Sequence, residues 1–263
     1  MIKRCTNSDI ERISEYIGAD YASCLYLYMD LLKYGPNSDY TKTWILEEDA
    51  QITCIALSYH TALHIYSHDS FNIQEVIDLA IELKPSQICA LKSIILAMEK
   101  PLALIGYGAE LGYVGRLKSF EHRKSDFVQR ATVEDVDQIS QLLYNDEGIG
   151  ASYSLEDLKK QFRERLTHGF VRSYIIKDNG QIVAHLGTGA EVGNVSIITY
   201  VITDNRYRGR GYAKSLYQVA CSDLELEGKE VYAVYYTDNA IHLHHSVGFK
   251  DFCECGKLFL KTH

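Results

Sequence analysis

The chain repeats itself. Arg4-Cys5-Thr6-Asn7-Ser8-Asp9-Ile10-Glu11-Arg12-Ile13-Ser14 returns as Arg130-Ala131-Thr132-Val133-Glu134-Asp135-Val136-Asp137-Gln138-Ile139-Ser140, with Arg, Thr, Asp, Ile and Ser each recurring 126 residues later. Both copies set a threonine at a helix N-cap and an aspartate at N3, the two ends of a capping box. An amphipathic helix follows in each. One register shared by five identities predicts duplication and two halves of similar build. The join falls near the charged stretch Glu121-His122-Arg123-Lys124-Ser125-Asp126. A length of 263 residues suits two ordinary domains, 1–125 and 126–263.

Periodicity and turn signals give the second half a strand at 127–130, helices at 133–143 and 154–166, and strands at 171–177, 181–190 and 195–203. Asn179-Gly180 marks the first hairpin. A helix at 213–226, a strand at 230–236, a helix at 239–247 and two last strands, around Phe249 and over 257–260, complete it. The first half reads as a helix at 20–33, strands at 43–46, 51–59 and 63–67, and helices at 73–83 and 89–99. Both are mixed α/β, with an antiparallel start and a helical crossover.

Bulk properties exclude several functions. A net charge of −8 and a pI near 5.7 argue against general nucleic-acid binding. No apolar run reaches the ~18 residues that a membrane span needs. The first residues, Met1-Ile2-Lys3-Arg4-Cys5, lack the apolar core of a secretory signal. Seven cysteines without paired spacing suit free thiols in a reducing compartment, so the expected location is the cytoplasm.

The chemistry concentrates at Arg206-Tyr207-Arg208-Gly209-Arg210-Gly211-Tyr212-Ala213. An apolar strand pattern precedes it and a helical pattern follows. A helix start has unpaired N–H groups and a positive dipole end, and glycine lets the backbone approach a ligand. No acidic residue lies between Arg206 and Lys214, although the chain is acidic overall. This is the build of a cradle for a polyphosphate. Stepping back 126 residues lands near Asp78-Leu79-Ala80, where nothing similar occurs, so only the second half has such a cradle.

In this setting the second half resembles the GNAT superfamily of acetyltransferases. Arg206-x-x-Gly209-x-Gly211 matches that superfamily's pyrophosphate loop, and Asn239 to Gly248-Phe249 resembles its second signature helix. The whole chain resembles tandem members whose first half is a degenerate copy. The resemblance implies a GNAT fold with acetyl-coenzyme A as co-substrate, no metal, and an amine-bearing acceptor. Backbone groups of Val201, Ile202 and Thr203 would pair with the pantetheine arm like an added strand. Amides of Arg208, Gly209, Arg210, Gly211, Tyr212 and Ala213 would hold the pyrophosphate, and Asn239 would meet pantetheine. No nucleic acid or membrane partner is implied, and the oligomeric state is open.

Two departures bear on mechanism. Where the superfamily has a tyrosine that protonates the leaving thiolate, this chain has His244. A histidine donates protons near neutral pH; alternatively His244 is an ordinary helix residue and water serves. A glutamate on the strand before the loop draws the amine proton in some relatives, and the position here, near Val195, cannot. Glu191 and His185 on the previous strand are the nearest titratable groups, although Glu191 also reads as a solvated hairpin carboxylate. The acceptor stays open among peptide N-termini, lysines, polyamines, amino acids and antibiotics. Two other readings fit: a sensor that holds an acyl-coenzyme A without turnover, and transfer of a longer acyl group to an amino acid.

Three other features carry less. Gly106-Tyr107-Gly108-Ala109-Glu110-Leu111-Gly112 approaches a dinucleotide fingerprint but reads as a simple turn. His60, His64 and His68 have zinc-like spacing only if helical, and the segment reads as strand. Cys253 and Cys255 read as a packed pair.

Overall fold

A computed structural model describes residues 2–119, 125–150, 154–167, 169 and 171–261. Positions 121–124 of the charged stretch expected to join the halves lie outside them. The chain divides into two compact units. One comprises Met1–Val114, Tyr235–Thr237 and Asp251–His263; the other comprises Gly115–Val234 and Asp238–Lys250.

The first half runs β1 (Ile2–Arg4), α1 (Ile10–Ile17), α2 (Leu25–Tyr34), β2 (Thr41–Glu48), β3 (Gln51–Tyr59), β4 (Ala62–Tyr66), α3 (Ile73–Leu83), β5 (Gln87–Leu91), α4 (Lys92–Ala103) and β6 (Tyr107–Leu117). β1 to β4 pair antiparallel in sequence, and β4 pairs parallel to β5 across the α3 crossover. The second half runs β7 (Val128–Arg130), α5 (Val136–Tyr144), α6 (Glu147–Gly150), α7 (Leu155–Thr167), β8 (Ser173–Asp178), β9 (Gln181–Val192), β10 (Val195–Thr203), α8 (Tyr212–Leu226), β11 (Glu230–Tyr235), α9 (Asp238–Ser246) and β12 (Phe249–Leu260). β7 to β10 are again antiparallel, and β10 runs parallel to β11 across α8. Apart from the extra turn of α6, the halves repeat one order.

The repeated capping signal forms in both places. Asp9 accepts from the Thr6 amide at 2.8 Å and Asp135 from the Thr132 amide at 3.0 Å, and each starts a short 3-10 turn before its helix. The Thr6 amide holds the Asp9 carboxyl below the usual range, and at Asp135, Lys177 followed by the Thr132 amide does so against burial. Ile13 and Ile139, paired in the repeat, are both fully buried.

Four expectations need correction. Cys89 lies in β5, where Ile88 pairs with Leu63 of β4, so the helix begins only at Lys92. The helix expected from Asp20 begins at Leu25, after a 3-10 stretch over Gly18–Cys24. The segment around Gly108 is strand β6, with a turn only at Gly106. A Cβ at Gly112 would sit 2.2 Å from the Tyr235 carbonyl, so glycine is required there by backbone approach. The two last strands are one, β12, and from Asp251 it belongs to the first unit. There it pairs antiparallel with β5, Cys255 opposite Leu91 and Phe259 opposite Gln87. The compact unit holding the glycine loop runs to Lys250.

The three histidines have separate partners. His60 sits at a turn with φ of 49°, His64 is buried beside Tyr26, and His68 meets the Tyr66 hydroxyl. Among the described residues no group of three or more ligating side chains could hold a metal ion, and no helix is long and apolar enough to cross a membrane.

Candidate active site

β10 and β11 begin side by side and then part. Their parallel pairing runs from Val195 opposite Glu230 to Ile198 opposite Ala233 and stops there. On its other edge β10 stays with β9 but is interrupted between Thr199 and Ile202. Tyr200 occupies this bulge at φ of 52°, a conformation that costs a residue with a Cβ about 1–3 kcal/mol. The imidazole of His185 fixes it. A carbonyl can only accept, so His185 Nδ1 donates to the Tyr200 oxygen at 2.8 Å, and Nε2 takes the Ser173 hydroxyl at 3.1 Å. Burial pulls His185 down to about 4, so the ring is neutral at pH 7. Beyond Ile198, Val201 and Thr203 thus lie on a strand edge that β11 has left, which is where an extended ligand arm can add itself.

That edge leads into the glycine loop. Gly209 and Gly211 take φ of 77° and 80°, and a Cβ built on either meets nothing within 4 Å. Gly211 is the N-cap of α8, and no side chain caps the helix. The first amides of α8 therefore open toward solvent with their dipole. The equivalent crossover in the first half differs: Asn72 caps α3, its side chain accepting from the Gln74 amide at 3.2 Å, and no glycine precedes it. The arginines are less free than their sequence suggests. Asp204, just before the loop, holds the Arg206 guanidinium at 2.9 Å. Arg208 donates to the Thr203 carbonyl at 3.1 Å and lies 3.6 Å from Asp146. Arg210 stacks on Tyr207 at 4.8 Å. All three arginines stay exposed to solvent.

α8 and α9 follow the C-terminal ends of two neighbouring parallel strands, so both helix N-termini face one edge of the sheet. Ala213 lies in the first turn of α8, and exposed Asn239 in that of α9. Lower on α9, His244 is buried and fully engaged. Its Nδ1 donates to the Ala240 carbonyl at 2.6 Å, which leaves Nε2 to accept the Tyr217 hydroxyl of α8, also at 2.6 Å. Burial pulls its pKa down to about 4. Nothing in the sequence pointed to Tyr217, since a tyrosine in mid-helix carries no local signal. Glu191 lies opposite Ser196, at the end of β10 away from the loop. Its carboxylate takes Arg172 at 3.0 Å and the Thr188 hydroxyl at 2.9 Å.

The Acetyltransferase (GNAT) family model matches residues 135–249, a span that takes in the split strands, the loop and α9. Residues 135–249 thus match a GNAT domain. No curated protein matches it in sequence. Among solved structures, a GNAT acetyltransferase from Colwellia psychrerythraea superposes with a TM-score of 0.63 at 13% identity, covering 99% of this chain and 100% of that one. A Drosophila protein gives 0.68 at 11%, covering 99% and 98%. A tandem GNAT protein from the clavulanic acid biosynthesis pathway gives 0.59 at 11%, covering 98% of each. Identities this low speak for the fold, and the fold is GNAT over nearly the full length.

The GNAT domain also holds a pocket of 540 Å³ between the first half of α8 and the end of α9, lined by Lys214, Tyr217 and Gln218, by His245 to Gly248, and by Ser119 and Lys250. Gln218 is 8% exposed, and its side-chain amide nitrogen has no acceptor among the described residues. An orphan donor of this kind costs about 1–3 kcal/mol.

Proposed function

We propose that the chain is an N-acetyltransferase that moves an acetyl group from acetyl-coenzyme A directly to the amine of its acceptor. The observation that carries this is the uncapped N-terminus of α8, set beyond a strand that has parted from its neighbour. In this reading, amides from Arg208 to Ala213 hold the pyrophosphate. Val201, Ile202 and Thr203 align the pantetheine arm, which takes over the Thr203 carbonyl from exposed Arg208. Asn239 meets the arm from α9. The cradle belongs to the second of two GNAT-like halves, 126–263 by sequence repeat, and the first half is a copy whose crossover helix is sealed by Asn72.

His244 acts through Tyr217. With both imidazole nitrogens bonded, the histidine cannot itself reach a thiolate. It orients the phenol, which turns its O–H to the departing sulfur. The proton then passes from phenol oxygen to sulfur, and water restores it. Glu191 would have to leave Arg172 to serve as a base, so the geometry supports a holding role for it.

A thiol-release assay with acetyl-coenzyme A and a panel of peptide, polyamine, amino-acid and aminoglycoside amines tests the reading. Thiol release that depends on one class of amine supports it. Absence of acetyl-coenzyme A binding at millimolar ligand rules it out. A sensor without turnover is favoured by one observation, the engagement of both His244 and Glu191, and predicts tight binding with no release for any amine.

A further inference from the structure

His185 sits in a slot shaped for an imidazole. The ring is fully buried on β9. Nδ1 donates to the Tyr200 carbonyl at 2.8 Å, Nε2 accepts from the Ser173 hydroxyl at 3.1 Å, and the Phe162 ring meets it edge-on at 5.7 Å. Gly187 leaves the remaining space: a Cβ there would stand 3.1 Å from the ring's Cε1. An apolar side chain could fill the same volume without burying polar atoms. The imidazole differs from one by its N–H, and that N–H is given to the bulge.

The bulge has a direction. Pairing with β9 resumes at Ile202, opposite His185 itself, and the Asp204 amide donates to the Val183 carbonyl at 2.9 Å. The ladders of β9 and β11 both pass over Val201. The peptide bond from Tyr200 to Val201 is trans, so its C=O and N–H point opposite ways. With the Tyr200 carbonyl drawn toward His185, the Val201 N–H faces the gap that β11 leaves beyond Ala233.

We propose that His185 is a positioning residue for the donor: through Tyr200 it aims the Val201 N–H at a carbonyl oxygen of the ligand arm. This rests on the acetyltransferase reading. Two kinds of carbonyl share the chemistry, the thioester and the amides of pantetheine.

Isotope-edited infrared spectroscopy of acetyl-coenzyme A, labelled with carbon-13 at the thioester carbonyl, reads the hydrogen bond without an acceptor amine, and calorimetric titration gives the affinity. In the parent protein the bound carbonyl band lies below that of the free ligand. His185→Leu keeps the slot filled but lacks the donor; the band returns to its free position and affinity falls roughly fivefold. His185→Asn, whose amide nitrogen replaces Nδ1, restores most of both. Gly187→Ala only displaces the ring and gives a partial return, which decides the matter if the leucine variant does not fold. An unshifted thioester band in the parent, with affinity lost in His185→Leu and regained in His185→Asn, upholds the clamp and assigns the N–H to a pantetheine amide. The proposal is overturned if His185→Leu, or Gly187→Ala in its place, matches the parent in band and affinity, or if folded His185→Asn loses as much as His185→Leu. Absence of acetyl-coenzyme A binding in the parent sinks the acetyltransferase reading and this proposal together, a result distinct from binding that is indifferent to His185.

Discussion

At the scale of single residues, conformation and charge can be separated at Gly211. Its φ of 80° penalises any side chain, while the space around it is open. Gly211→Ala therefore costs about 1–2 kcal/mol of stability through the backbone alone, and acetyl-coenzyme A binding falls only modestly. Gly211→Glu carries the same backbone cost and adds an anion where a diphosphate would lie. It should abolish binding by titration calorimetry; equal losses in the two variants would refute the cradle. The buried histidines make a second prediction. His64, His185 and His244 are each pulled down to about 4 by burial. Unfolded imidazoles take a proton near pH 6.5, so between those values the unfolded chain holds more protons and acid favours unfolding. The stability they supply is whole above about pH 6.5 and disappears as pH falls toward 4, up to about 3 kcal/mol for each. Urea midpoints at pH 7.5, 5.5 and 4.5 should drop steadily. His244→Gln should flatten part of the slope, and a level profile in the parent protein would contradict the burial.

At the scale of elements, the capping boxes give a matched pair of tests. Thr132→Ala removes one cap and should cost about 1 kcal/mol. Asp135→Ala should cost more, because Asp135 also holds Lys177 at 2.7 Å; urea denaturation of the two variants ranks them. These caps were legible because a capping box is written in four consecutive residues. The hairpin at Asn179-Gly180 and the crossover through α8 were legible for the same reason, being set by local turn chemistry and period. The β5 strand was not, since Gln87–Leu91 is stabilised by β4 and β12, far away in sequence, and tertiary pairing overrode its helical pattern. The bulge at Tyr200 left no trace either, because the residue that holds it, His185, lies on another strand. At the site, the glycine loop could be read, but Asp204 pairing with Arg206 and Tyr217 meeting His244 depend on the folded geometry.

At the scale of the whole molecule, the repeat predicts two like halves, and the structure adds that the C-terminal strand is not kept with the second. Leu258 of β12 is fully buried in a core with Leu63, Val76, Ile95 and Met98, all from the first 114 residues. Removing 251–263 therefore takes a strand from β5 and a side chain from that core. Loss of a buried leucine alone costs about 2–5 kcal/mol, and β5 becomes an open edge that invites association. The effect should be local. Hydrogen exchange in the shortened chain should show lost protection over Gln87–Leu91 and Ala62–Tyr66, with Ser173–Asp178 and Gln181–Val192 still protected. A simple cut between the halves predicts the reverse, with β8 and β9 failing and the first 114 residues untouched, and that pattern would show β12 to belong with the loop-bearing unit after all.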